Sequence, residues 1–170
     1  MRSRFLVRMD AICGMASTPE HSYFAYGSNL LDSEMKRSAP AAKPIGRAYI
    51  PSYRLVFDKH STTRRSDAAS ITRDSAAMVW GFVYNVDQKG CAELRRREGG
   101  YSELSVTAFL NSVGDEASAP MKVFTFVSDA ACPKACGPSA EYVDLVLRGG
   151  EQRGLPADYI LRIRSAAGLD

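Results

Sequence analysis

The chain has 170 residues, 45% of them hydrophobic and 24% charged, with a net charge of +3. That length can bury a full core in one domain without disulfide support, and the composition is ordinary for a soluble globular protein. The small net charge, with no basic run interleaved with aromatics, argues against nucleic acid as a partner, and no apolar stretch is long enough to span a bilayer.

Residues 1–21 carry Arg2, Arg4 and Arg8 but little hydrophobic periodicity. A disordered tail or an over-extended start is expected there. A transit peptide is the lesser reading, because Asp10 and Glu20 interrupt the acid-poor pattern. Residues 22–170 are expected to form a single domain. Ser22 to Tyr26 reads as a strand closed by Gly27. Asn29 is expected to cap a short helix through Lys36, with Asp32 in its first turn and Pro40 ending it. Ile45–Ile50 and Tyr53–Phe57 read as two strands split at Pro51-Ser52, and the polar stretch from Asp58 to Asp67 reads as a loop. Ala68–Arg73 is a short strand, and Met78–Tyr84, rich in β-branched and aromatic residues, is the clearest strand of the chain.

Asp87 to Arg97 predicts a helix with Cys91 and Leu94 on its buried stripe, stopped at Gly99-Gly100. Leu104–Leu110 and Lys122–Val127 are expected strands, separated by a polar turn at Gly114-Asp115-Glu116. Pro138 to Arg153 carries Tyr142, Leu145 and Val146 on one helical face. Gly154-Leu155-Pro156 breaks it, and Ala157–Ala167 forms a closing helix. Strands dominate the first three quarters and helices the end, which points to an α+β domain with a curved or closed sheet.

Two features carry chemistry. In Tyr23-Phe24-Ala25-Tyr26-Gly27-Ser28-Asn29-Leu30-Leu31 a short apolar run breaks into a loop that exposes backbone amides beside a tyrosine. Such a loop can hold an anion or a carbonyl oxygen. The second is Glu98, in Arg95-Arg96-Arg97-Glu98-Gly99-Gly100-Tyr101. Together they suggest a small-molecule enzyme that uses one carboxylate and no metal. Taken singly, each has a plainer reading: Glu98 as a surface acid paired with Arg95, Ser28-Asn29 as a helix cap, Tyr26 and Tyr142 as core. Cys132-Pro133-Lys134-Ala135-Cys136 lacks a second ligand pair at zinc spacing, and the chain has only His21 and His60. The same scarcity of histidine argues against a Ser-His or Cys-His hydrolase built on Ser28 or Cys91. The four cysteines, Cys13, Cys91, Cys132 and Cys136, are scattered and read as reduced thiols of a cytoplasmic protein.

Three segments in order resemble the gamma-glutamylcyclotransferase family, also called AIG2-like. They are Tyr26-Gly27-Ser28-Asn29-Leu30 after an apolar strand; Val79-Trp80-Gly81-Phe82-Val83-Tyr84 followed by a helix ending in Arg97-Glu98-Gly99; and Pro138-Ser139-Ala140-Glu141-Tyr142 continued by Gly154-Leu155-Pro156 and Tyr159. The resemblance implies a compact mixed β-barrel with flanking helices that makes 5-oxoproline from gamma-glutamyl compounds without a cofactor or metal. It implies that Glu98 is the catalytic acid, that Tyr26, Gly27, Ser28, Asn29 and Leu30 cradle the substrate, and that Tyr101 and Tyr142 close the pocket. Two departures stand out: Gly100 doubles the glycine after the acid, and Glu103 lies where many relatives have an arginine, a reversed charge expected near the rim. The expected partner is a small gamma-glutamyl substrate, with no nucleic acid or membrane, and the expected state is a monomer or weak homodimer.

The chemistry suits these residue types. A gamma-glutamyl amide holds its own nucleophile, since its α-amine can close a five-membered ring on the γ-carbonyl. Well-oriented intramolecular attack reaches effective molarities of roughly 10⁵–10⁸ M. The protein need only move protons and steady the oxyanion. An α-amine has a pKa of about 8 and must lose a proton before attack. One carboxylate can take that proton and return one to the leaving nitrogen, and partial burial would raise its pKa toward the working pH. The three arginines before Glu98 are expected to point outward. A different class of function, a non-catalytic small-molecule-binding module on the same fold, is the alternative.

Overall fold

The computed structural model describes residues 21–61, 66–111, 119–129 and 136–169. The elements run β1 (His21–Ala25), a 3₁₀ turn (Ser28–Leu30), α1 (Asp32–Ser38), β2 (Lys43–Ser61), β3 (Ser66–Val86), α2 (Gln88–Arg97), β4 (Tyr101–Leu110), β5 (Ala119–Ser128), α3 (Ala140–Gln152) and α4 (Ala157–Ala166). The expected tail (residues 1–20 of it), the Gly114–Glu116 turn and most of the Cys132–Cys136 segment lie outside the described residues.

The five strands close into a barrel in the order β1-β3-β2-β4-β5. Every pairing is antiparallel except that of β1 with β5, which is parallel and rests on Tyr23 opposite Phe124. The Oγ1 of Thr125 donates to the Phe24 carbonyl at 2.8 Å and reinforces this seam. Phe24, Ile50, Val79, Val83 and Val86 are fully buried and fill the core. The α+β barrel with flanking helices is therefore as expected.

The strand pattern differs from the sequence reading in one consistent way. The two short strands expected on either side of Pro51-Ser52 are a single strand, β2, and the two expected at 68–73 and 78–84 are a single strand, β3. Pro51 pairs with Met78 and Tyr53 with Arg73, so the ladder passes through a bulge instead of ending. Ser52 takes a φ of 62° there, and a proline is tolerated at such an irregularity because no ladder bond is asked of its nitrogen. The expected loop from Asp58 to Asp67 is mostly strand too: β2 runs to Ser61 and β3 starts at Ser66. Only residues 62–65, with Arg64 and Arg65 among them, fall outside the described set.

The three later helices form where the sequence signals them. Asp87 accepts from the Gly90 N–H at 2.7 Å and starts α2, whose Cys91 and Leu94 are fully buried. Ser139 Oγ accepts from the Tyr142 N–H at 3.2 Å and starts α3, which buries Tyr142, Val143 and Val146. Both caps satisfy N–H groups that the helix itself cannot. No described helix is long and apolar enough to cross a membrane.

Candidate active site

β1 delivers the first half of the site. After Ala25 the chain leaves the barrel through Tyr26 and Gly27 and tightens into the 3₁₀ turn, not into the helix expected from Asn29. The α-helix starts later, at Asp32, and no side chain caps it. Asn29 is thus no cap; its Nδ2 donates instead to the Tyr23 hydroxyl at 3.0 Å. Leu30 is also not where a substrate contact needs it. Its side chain is fully buried and its N–H donates to the Gly27 carbonyl at 3.0 Å, closing the 3₁₀ turn. The N–H groups of Gly27, Ser28 and Asn29 lie ahead of that bond, and among the described residues none of them donates to the backbone. The usable donors are therefore three consecutive amides, the expected run without Leu30.

α3 holds this turn from behind. Gly149 packs so tightly on Leu30 and Leu31 that a methyl group there would meet Leu30 Cβ at 2.7 Å. At the end of the helix, Arg153 donates from Nε to the Leu30 carbonyl at 3.0 Å and from Nη2 to Asp32 at 3.0 Å. Its guanidinium also lies 4.7 Å from the Phe82 ring centroid.

α2 delivers the second half. Its stripe of Cys91 and Leu94 points into the core, so the residue after its last turn comes round to the barrel mouth. Glu98 sits there as the C-terminal cap, its N–H bonded to the Leu94 carbonyl at 3.0 Å and its carbonyl taking the Tyr101 N–H at 3.0 Å. Gly100, at φ 79°, completes the turn into β4. Glu98 is half-buried and lines a cavity of about 360 Å³ together with Tyr26, Gly27, Ser28, Asn29, Tyr101 and Tyr142. Seven of the eight expected site residues therefore meet in one place, Leu30 being the exception.

The tyrosines are tied differently from expectation. Tyr26 donates its hydroxyl proton to the Phe126 carbonyl. Tyr101 donates to the Ala69 carbonyl at 2.8 Å, while the Ala69 N–H donates to the Tyr142 hydroxyl at 3.1 Å. Tyr101 and Tyr142 thus hold the carbonyl and the N–H of one β3 residue, Ala69. The phenol protons of Tyr26 and Tyr101 are spent on the fold, leaving their rings and lone pairs to face a ligand. Burial first, then the negative charge of Glu98, push the Tyr23 phenol far above its ordinary pKa. Burial, then Tyr142 and then Glu98 do the same to Tyr101. Burial followed by Tyr101, with Glu98 a smaller cause, raises Tyr26. One carboxylate is felt by three phenols, which places its charge among them.

The arginines before Glu98 are not all directed outward. Arg95 pairs with Glu103 at 2.8 Å and Arg96 with Glu93 at 2.7 Å, both on the surface. Arg97 instead reaches Ser38 Oγ on α1 at 2.8 Å and braces the two helices together at the edge of the cavity. Glu103 does not line the cavity, and its charge is answered by Arg95; the expectation that it sits near the rim does not hold.

Several cavity residues escaped the sequence reading. Tyr23 is one, and its place at the centre of β1 made it look like core alone. Glu34 is a second carboxylate on the cavity wall, held by Arg37 at 2.8 Å. Lys59 and His60 come from the polar end of β2. His60 Nδ1 lies 3.5 Å from Asp67 Oδ1, and that fully buried carboxylate accepts from the Cys136 and Gly137 N–H groups at 2.7 and 2.8 Å. Strand alternation in 58–61, readable beside the matching 66–69, is the signal that could have found them. Among the described residues no group of three His, Cys, Asp or Glu side chains is placed to hold a metal ion.

The family model described as AIG2-like matches residues 78–163, just over half of the chain. The chain belongs to the AIG2-like family. This AIG2-like chain is similar to the gamma-glutamylcyclotransferase of Bos taurus, with 26% identity over 148 residues, covering 84% of this chain and 77% of that protein. It matches the gamma-glutamylcyclotransferase of Homo sapiens with the same identity and coverage. A solved structure of a gamma-glutamyl cyclotransferase superposes with a TM-score of 0.78 at 22% identity, covering 86% of this AIG2-like chain and 88% of the other, and shows that the fold is shared.

Proposed function

We propose that this chain is a gamma-glutamylcyclotransferase, converting a gamma-glutamyl amino acid or gamma-glutamyl amine to 5-oxoproline and the free amine. One observation carries the reading: the Glu98 carboxylate and the Gly27–Asn29 amides open on the same cavity. The named cyclotransferases to which the chain is similar along most of its length support it.

The reaction needs only what these residues supply. Glu98 takes a proton from the substrate's α-ammonium, and the freed amine attacks the γ-carbonyl. The carbonyl π-electrons move to oxygen. The Gly27–Asn29 amides supply donors for that oxyanion or for the substrate's α-carboxylate; pre-aimed donors at an oxyanion are worth about 2.7–4 kcal/mol each elsewhere. The protonated Glu98 then gives its proton to the leaving nitrogen, the oxyanion re-forms the carbonyl as the C–N bond breaks, and the second proton of the ring nitrogen passes through the freed Glu98 carboxylate to the departing amine, so the ring closes without water entering. The buried rings of Tyr23, Tyr26 and Tyr142 offer an apolar wall to the glutamyl methylenes. Glu34, held by Arg37, is a second acid on the same wall.

The catalyst is read as a cytoplasmic monomer or weak homodimer acting on a small molecule. Cys91, a buried thiol outside any disulfide, supports a reducing compartment. Incubation with a panel of gamma-glutamyl dipeptides and gamma-glutamyl amines tests the activity. Release of 5-oxoproline from at least one of them is expected, and a ligand retained unchanged throughout would replace the enzyme reading with a binding module.

A further inference from the structure

Lys59 is a cation on the cavity wall that the reaction above leaves unused. It is half-buried at the end of β2, and its Nζ lies 5.4 Å from the centroid of the Tyr101 ring. That ring cannot drift, since its hydroxyl is fixed to the Ala69 carbonyl at 2.8 Å. Among the described residues no carboxylate lies within ion-pair distance of Lys59. The other basic groups of the wall are engaged: Arg96 with Glu93, Arg97 with Ser38, and His60 beside Asp67.

The turn after Glu98 passes against this ammonium. A methyl group at Gly100 would collide with Lys59 Nζ and would meet its Cε at 3.2 Å. The glycine that doubles Gly99 has its local reason in a φ of 79°, and its bare α-carbon leaves the lysine tip where it lies. The group that must protonate the leaving nitrogen and a wall cation with no acidic partner among the described residues therefore flank the same Glu98–Gly100 turn. The glutamyl half of a substrate has its donors at Gly27–Asn29, so a cation beside Glu98 faces the departing half.

We propose that Lys59, seated on Tyr101 beside Gly100, receives a carboxylate carried by the leaving amine and selects for substrates that have one. This rests on the cyclotransferase reading of the same cavity. A half-buried ammonium with no internal counter-charge loses little by trading water for a substrate carboxylate, and the charge-assisted contact then favours acidic leaving groups over neutral or cationic ones.

The test compares gamma-glutamyl-alanine with gamma-glutamyl-alaninamide, which differ only in the leaving group's charge. The wild-type protein is expected to show a kcat/KM ratio of about 10- to 100-fold in favour of the acid, the worth of a charge-assisted hydrogen bond. In Lys59→Met that ratio falls to near one, and Lys59→Arg restores most of it. A Lys59→Met variant that keeps the wild-type ratio, or a wild type that shows no preference, overturns the assignment while leaving the cyclotransferase reading intact. Absence of 5-oxoproline from both substrates and from the wider panel overturns both. Circular dichroism of each variant separates a lost ratio from a lost fold.

Discussion

The Nε of Arg153 donates to the carbonyl of Leu30 at 3.0 Å, joining the end of α3 to the turn that presents the Gly27–Asn29 amides. Its Nη2 binds Asp32 at 3.0 Å, and its side chain is only 12% exposed. The turn's geometry is thus set by a residue 123 positions later in the chain. Removing the guanidinium takes one donor from the Leu30 carbonyl and one from Asp32, which keeps Lys36 at 2.6 Å. Arg153→Ala is expected to lower stability by about 1.5–3 kcal/mol, the cost of hydrogen bonds to a charged group. In a chain of this size the melting temperature falls by about 2–4 °C per kcal/mol. Turnover per folded molecule should fall as well, with Arg153→Lys recovering stability better than kcat.

Glu98→Gln keeps the shape and removes the proton carrier. General acid–base catalysis contributes about 10²–10⁴-fold, so 5-oxoproline release per folded molecule should drop by that range. Glu34→Gln is the control on the same wall. Its carboxylate is bound by Arg37, and its loss should cost less than about tenfold, well below the general acid–base range. A reversal of the two results would move the catalytic role to Glu34.

Tyr142→Phe deletes the acceptor of the Ala69 N–H. A buried donor left without a partner costs about 1–3 kcal/mol. Chemical denaturation should show a lower midpoint with an unchanged slope. Tyr101→Phe frees the carbonyl of the same residue and is expected to act in the same direction. The double variant should fall short of the sum, because both bonds serve one residue, Ala69.

Alkali should unfold the protein sharply. Burial is the leading cause that raises the phenols of Tyr23, Tyr26, Tyr101 and Tyr159, and it pushes Tyr84 up to about 12. These groups are protonated in the folded state at pH values where the unfolded chain has lost the proton. Their contribution is therefore complete below pH 10, the ordinary tyrosine value, and is lost as pH rises above it. Each such group adds a slope of about 1.4 kcal/mol per pH unit in that window. Phenolate absorbance should rise in one cooperative step together with loss of the circular dichroism signal. Separate titration of the five hydroxyls in a folded protein would contradict this.

Parts of the architecture were readable because the signal was local. The stripe of Cys91 and Leu94 and the face of Tyr142 and Val146 announced α2 and α3, which form there with Asp87 and Ser139 as their caps. Glu98 was readable as the residue where a helix stops. What could not be read depended on partners far along the chain. Pro51-Ser52 looks like an end, yet β3 carries the ladder past it. The polar run after Phe57 looks like a loop, yet pairing of Lys59 with Ala68 and His60 with Asp67 makes it strand, and this hid Lys59 from the site. Leu30 was assigned with its neighbours because a sequence does not show that a turn will tighten to 3₁₀ and consume one amide.

The seam between β1 and β5 also constrains the order of assembly. Tyr23 has its barrel partner at Phe124, about a hundred positions downstream. During synthesis the N-terminal strand leaves the ribosome long before its neighbour exists, and so distant a contact is slow to close. The amides that follow β1 are then among the last parts of the molecule to reach working order, so a nascent or truncated chain ending before β5 should possess helices and hairpins but no catalytic power.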